Sequence, residues 1–342
     1  MSITKVTDAG LDRSRIVTPL IINGDMSVAQ RGTSFSSQSG SAYHLDRFKT
    51  LASSLGTFTI SQSTTVPTGQ GFAKSFKLDC TTADASPSAS DTLQFVQYIE
   101  GQNLQSLKKG TSSAEAVTVS FWVRSNKTGT YTLELYDNDN TRQISKTYTI
   151  SSADTWEKKT VNFAGDTSGA LGNDNGLSFA VQWWLGAGSN STSGTLSETW
   201  TSVTTANRVS SSQVNIADNT DNEWYITGIQ MEIGTFDTDT IPSFPFESFE
   251  SNLKKCQRYY QLARIWWGGD ATNGEEYRAG TQLSTDMRAT PSVTYTHLDS
   301  ANFSTSATSQ SATSYNLAIR VAAATSASAR YYVFGAVADS EL

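Results

Sequence analysis

The ten residues Trp224-Tyr-Ile-Thr-Gly-Ile-Gln-Met-Glu-Ile233 constrain the chain more than any other stretch. Tyr225, Thr227, Ile229, Met231 and Ile233 fall at every second position and form an almost wholly apolar set. Trp224, Ile226, Gly228, Gln230 and Glu232 form the other. Period two with one apolar face predicts a half-buried β-strand whose inward side carries Tyr225 through Ile233. The period then changes. Leu253, Cys256, Tyr259 and Tyr260 recur at helical spacing, predicting a linking helix over 251–263.

The chain before this stretch repeats the strand signal. Val117, Val119, Phe121 and Val123 share one face, as do Tyr131, Leu133 and Leu135. Short runs such as Phe58–Ile60, Phe76–Leu78 and Leu177–Leu185 lie between Gly, Ser, Asn and Asp turns. Pro19–Met26 reads as a short strand ending in the turn Asn23-Gly-Asp25, and Tyr43–Phe48 also alternates. Crossover helices are missing from the pattern, which argues against a parallel α/β fold. Residues 103–110 read as a helical turn stopped by Gly110. After the helix, strands are expected at 277–283, 292–297, 315–322 and 331–337. The fold expected is all-β: a jelly-roll β-sandwich over 19–250, a short helix, and a smaller C-terminal β domain over 264–342. Residues 1–18 read as a polar N-terminal arm.

Composition excludes several classes of function. Charged residues make up 17%, the net charge is −7, and the 342 residues allow about two domains. No basic patch suggests nucleic acid, and an acidic surface is a poor match for an anionic membrane. No run reaches the ~20 apolar residues of a membrane span. The first residues lack the apolar core of a secretory leader, so synthesis in the cytoplasm is expected. Cys80 and Cys256 are expected as two buried thiols. Neither His44 nor His297 sits at metal-ligand spacing, and no cofactor or metal is expected. No G-x-S-x-G, H-E-x-x-H or P-loop is present, so the chain reads as a non-enzyme.

Two sets of segments carry a resemblance. Glu100-Gly101, Val119-Ser-Phe-Trp-Val-Arg124, Gly129-Thr-Tyr-Thr-Leu133 and Thr155-Trp-Glu-Lys-Lys-Thr-Val161 resemble the jelly-roll carbohydrate-binding modules of bacterial polysaccharide hydrolases. Ile22-Asn-Gly-Asp-Met26, Gln30-Arg-Gly32, Asp46-Arg-Phe48, Gln230-Met-Glu-Ile-Gly234, Cys256-Gln-Arg-Tyr-Tyr-Gln261, Met287-Arg-Ala-Thr-Pro291 and Val337-Ala-Asp-Ser-Glu-Leu342 resemble bacteriophage tail-fibre-like virion proteins containing such a module. That resemblance implies a homo-oligomer, a trimer by analogy, assembled in the host cytoplasm and located on the virion. The arm at 1–18 would contact other virion proteins, and the sandwich would adhere to host surface glycans. A capsid decoration or fibre-base protein without a receptor role, and an accessory module of a glycan-active enzyme, are the alternatives.

Sugar recognition requires aromatic faces for pyranose rings and amides, carboxylates or guanidinium groups for hydroxyls. Trp183 and Trp184 are adjacent in a strand and point to opposite faces. One is expected in the core and the other on the concave sheet; the sequence does not say which. Trp200, in a Ser/Thr-rich run, either stacks on sugar or packs under its loop or at a subunit contact. Trp156 is expected in the core, Trp122 in core or cleft, and Trp266 and Trp267 at a domain or subunit contact.

Overall fold

The computed structural model describes residues 19–295, 297–303 and 309–342. The N-terminal arm at 1–18 lies outside them. Two antiparallel sheets pack face to face as a jelly-roll sandwich. The first holds, in order, β1 (Ser34–Gln38), β4 (Thr57–Ser63), β5 (Ser75–Thr82), β13 (Glu223–Ile233), β7 (Val117–Ser125) and β10 (Glu157–Phe163). The second runs β12 (Thr201–Ser202), β9 (Arg142–Ile150), β8 (Gly129–Asp137), β11 (Leu177–Ala187), β6 (Thr92–Glu100), β3 (Phe48–Ser53) and β2 (Ala42–Tyr43).

The core lies between the sheets. Val119, Phe121, Val123, Leu133 and Leu135 are buried in it, as their alternation requires. Trp183 joins the layers, with ring centroids 5.7 Å from Phe95 in its own sheet and 5.6 Å from Phe121 in the other. Each such side chain contributes about 1.5–3 kcal/mol by leaving water.

The faces of β13 differ from the simple alternation. Trp224, Ile226, Ile229 and Met231 all enter the core. The pairing of β13 with β7 slips between Thr227 and Gln230. Gly228, at φ +63°, forms a β-bulge there. The extra residue inverts the phase, so Tyr225 and Thr227 face outward before it and Gln230 faces outward after it. A strict period of two cannot survive an inserted residue, which is why the sequence assigned Tyr225 and Thr227 to the wrong side.

Other elements also moved. Residues 19–26 form bends and turns rather than a strand, and 44–47 form the turn between β2 and β3, with Arg47 at φ +69°. The helical turn near 103–110 is a 3-10 helix, Gly101–Leu107. The linking helix runs Phe249–Gln257, capped by the Ser248 hydroxyl, which accepts from Ser251 N–H at 3.2 Å. Tyr260 belongs instead to β14 (Tyr260–Ala271).

The C-terminal unit has its own core of Ile265, Leu317, Ile319, Val321 and Tyr331. In it β14 pairs with β20 (Ala327–Asp339), which also pairs with β16 (Ser292–Thr294) and β17 (His297–Ala301). β15 (Glu276–Gln282), β19 (Asn316–Ala322) and β18 (Ser309–Thr313) form a separate sheet. Trp267 packs against Tyr277 and Phe303 at 4.7 and 5.1 Å, inside this unit, whereas Trp266 is exposed.

The short motifs spread along the chain converge where the two units meet. Gln30 Nε2 donates to Asp46 Oδ1 at 2.6 Å and to the Tyr260 carbonyl at 2.8 Å. Arg47 pairs with Glu341, and its guanidinium lies 3.4 Å from the Tyr259 ring centroid. Arg31 lies 3.7 Å from the Tyr260 ring centroid and bridges to Asp339 and Glu341 at 3.3 Å. Arg258 binds the buried Glu100 carboxylate through Nε and Nη2 at 3.0 and 2.8 Å. Asn252 of the helix donates to Asp25 and Ser27 at 3.0 and 2.9 Å. Cys80 and Cys256 are buried free thiols.

Candidate functional site

Since Trp183 faces the core, its neighbour Trp184 must face outward from the seven-stranded sheet. Strand register then arranges that face in rows. Tyr136 of β8, Ala180 of β11 and Tyr98 of β6 are direct neighbours. The next row is Glu134, Gln182, Val96, Lys49 and Tyr43. The third places Thr132, Trp184 and Gln94 side by side.

The first row forms a slot. Neighbouring strands lie about 4.8 Å apart, so two tyrosines flanking one strand stand about 10 Å apart. Between them Ala180 projects only a methyl group. Tyr98 and Tyr136 are both half-buried, and Ala180 between them is fully buried.

A loop supplies the charge. The segment 188–215 crosses the sheet: Gln213 Oε1 accepts from Thr132 N–H at 2.8 Å, and its Nε2 donates to the Trp184 carbonyl at 3.0 Å. This positions Arg208, whose guanidinium lies 5.0 Å from the Tyr136 ring centroid and 5.1 Å from that of Trp184. Glu134 is fully buried and accepts Arg208 Nε and Nη2 at 2.9 and 3.0 Å. It also accepts the Trp184 indole N–H at 2.8 Å. Arg208 Nη2 reaches Gln182 Oε1 at 3.2 Å. Burial opposes the Arg208 charge, but the Glu134 carboxylate more than compensates and holds the guanidinium protonated. Burial pushes the Tyr98 phenol above its ordinary value, with Arg208 opposing.

Two further groups complete the face. Gln94 is buried, and its Oε1 has no partner among the described residues. Lys49 Nζ lies 5.1 Å from the Tyr43 ring centroid and 5.6 Å from that of Tyr98. Aromatic walls with a guanidinium, an ammonium and two amides can hold a polyhydroxylated ring. Glu134, the carboxylate of these rows, is engaged with Arg208 and Trp184, so the rows offer binding groups rather than an acid–base pair.

The three tryptophans singled out from the sequence take other roles. Trp183 is fully buried between the sheets and cannot touch a ligand. Trp184 is 1% exposed and acts beneath the surface, orienting Glu134 and through it Arg208. Trp200 is half-buried; its indole N–H donates to the Ala164 carbonyl at 2.7 Å, and its ring packs 5.9 Å from Phe179, under its loop. Trp156 is half-buried outside the core, 6.2 Å from Tyr225. Sequence reasoning missed Tyr98, Tyr136 and Arg208. The signal for the tyrosines was available: each is an aromatic at a position out of phase with the apolar face of its own strand. Arg208 carried none, because it reaches the sheet through a loop.

No family model matches the chain, and no curated protein is significantly similar to it in sequence. Solved structures align with part of it. The enzymatically active domain of tailspike protein 4 of bacteriophage CBA120 aligns over 63% of this chain at 13% identity and a TM-score of 0.33. This chain spans about a fifth of that one, 21%. A CBM4 structure aligns over 62% of this chain and 97% of its own, at 13% identity and a TM-score of 0.30. TmCBM61, solved with β-1,4-galactotriose, aligns over 54% and 88%, at 10% identity and a TM-score of 0.28.

Proposed function

We propose that this chain is a non-catalytic glycan-binding adhesion protein. One observation carries the reading: Tyr98 and Tyr136 flank Ala180 across the central strand of the outward sheet face, with Arg208 and Gln182 beside them. The accessible parts of these two half-buried rings, standing over a floor that is already covered, give a pyranose ring an apolar surface to stack on. Arg208, Lys49 and Gln94 supply donors and an acceptor for its hydroxyls.

The finer reading places this adhesion on a phage particle, as part of a tail fibre. Its support is the set of motifs quoted above, which gather at the junction of the sandwich and the C-terminal unit. A homotrimer, with the arm at 1–18 contacting other virion proteins, belongs to the same proposal. Each single-ring site binds weakly, and three copies raise avidity without new contacts.

The test is titration of the full chain against a panel of bacterial surface polysaccharides. Saturable binding lost in the double variant Y98A/Y136A supports the reading. Binding that survives in the folded double variant places recognition elsewhere, and no binding to any polysaccharide sinks the adhesion role. Light scattering at several concentrations tests the trimer separately.

A further inference from the structure

We infer that the opposite sheet carries a second ligand site, specific for an acidic pyranose such as a uronic acid. A cavity of about 330 Å³ opens on the outward face of the six-stranded sheet, lined by Ser120, Trp122, Lys158, Gln230, Gln70 and the Phe72 side chain. Phe244 and Phe246 close its rim and pack on Phe72 with ring centroids 5.1 and 5.0 Å away. Its size falls at the lower end for ligand pockets, enough for one sugar residue.

Three features of the cavity point to a ligand. Gln230 is only 5% exposed, its Nε2 donates to the Pro242 carbonyl at 2.9 Å, and its Oε1 has no partner among the described residues. Leaving a buried acceptor unpaired is costly, and a ligand hydroxyl would recover that cost. Gln230 stands on this face only because the Gly228 bulge inverts the strand; the bulge thus builds the site. Lys158 is the charged residue among those lining the cavity, in a chain of net charge −7. Trp122 provides the apolar platform, Gln230 Oε1 accepts a hydroxyl, and Lys158 Nζ, which among the described residues donates to the Thr238 carbonyl at 3.3 Å, meets the carboxylate. This site does not depend on the tyrosine slot.

The experiment follows the indole N–H resonance of Trp122, assigned with W122F, during titration with sodium glucuronate and, separately, glucose. Expected are saturation by glucuronate at roughly millimolar affinity and at least about fivefold weaker binding of glucose. K158Q should bring glucuronate down to the level of glucose. S243W, a change at an exposed loop residue lining the cavity, should abolish both responses without unfolding the chain. Y98A/Y136A should leave them intact, so failure here and failure of the slot are distinguishable. Equal responses to the two sugars, glucuronate binding unchanged in K158Q, or an unmoved Trp122 resonance would overturn the inference.

Discussion

Arg47 places its guanidinium carbon 3.4 Å from the centroid of the Tyr259 ring, joining a turn of the sandwich to the end of the linking helix. Its charge is matched by Glu341, near the C-terminus, and both side chains are almost fully buried. R47A would remove the stacked cation and leave the Glu341 carboxylate without its closest partner. Breaking a buried pair this way costs about 3–5 kcal/mol. Urea unfolding followed by circular dichroism should show that loss, whereas an unchanged midpoint would mean that the junction contributes little to stability.

Glu134 and Arg208 form another ion pair, with the carboxylate fully buried, and it belongs to the slot. R208A should destabilise the sandwich by about 3 kcal/mol, because Glu134 is fully buried and, among the described residues, keeps only the Trp184 indole as a donor. Glycan binding should fall with it. R208K retains the charge but not the two-point contact, and should recover stability better than affinity. Calorimetric titration and thermal unfolding of both variants separate the two effects.

The tyrosines should behave differently. Y98A and Y136A remove half-buried side chains, so each should change stability by no more than about 1 kcal/mol. Each should weaken glycan binding about tenfold, which corresponds to about 1.4 kcal/mol of stacking. W183A should do the reverse: a large loss of stability, about 3–5 kcal/mol, from an empty space in the core. A glycan titration in which W183A loses affinity while remaining as stable as the wild type would contradict the placement of Trp183.

Gly228→Ala tests the bulge. Residue 228 has φ +63°, and a Cβ there would fall 2.5 Å from Phe72 Cζ. The left-handed conformation costs a residue with a side chain about 1–2 kcal/mol, and displacement of Phe72 adds to it. A total near ~3 kcal/mol is expected in urea unfolding. The Trp122 indole resonance should shift as well, because Phe72 walls the same cavity.

His44 gives the fold an acid sensitivity. It is buried, and burial together with the Arg31 charge pushes its imidazole down to about 4. Between pH 6.5 and about 4 the unfolded chain therefore takes up a proton that the folded chain refuses. The stability of the neutral folded form is complete above pH 6.5 and falls by about 1.4 kcal/mol per pH unit below it. H44Q should flatten this part of the profile. Melting temperatures of the two proteins from pH 7 to 4 check it; parallel curves would show that His44 is not the group responsible.

Alternation along short strands determined that this chain is an all-β sandwich with a further β unit. The phase of each strand fixed most core residues too, since Val119, Phe121, Leu133 and Leu135 face inward as their spacing requires. Pattern alone also placed a helix near 250–260. It failed at Gly228 for a local reason: a bulge adds one residue to the count, and nothing in a period of two marks where that happens. The binding face was less legible still. Tyr98, Ala180 and Tyr136 lie far apart in the chain and become neighbours only through strand register, which is set by cross-strand hydrogen bonds rather than by any one segment. The same holds for Arg208, carried to the sheet by a loop, and for the motifs that meet at Tyr259 and Tyr260. Local sequence sets which side of a strand is apolar. Only the packing of distant strands decides which polar and aromatic side chains share the other side.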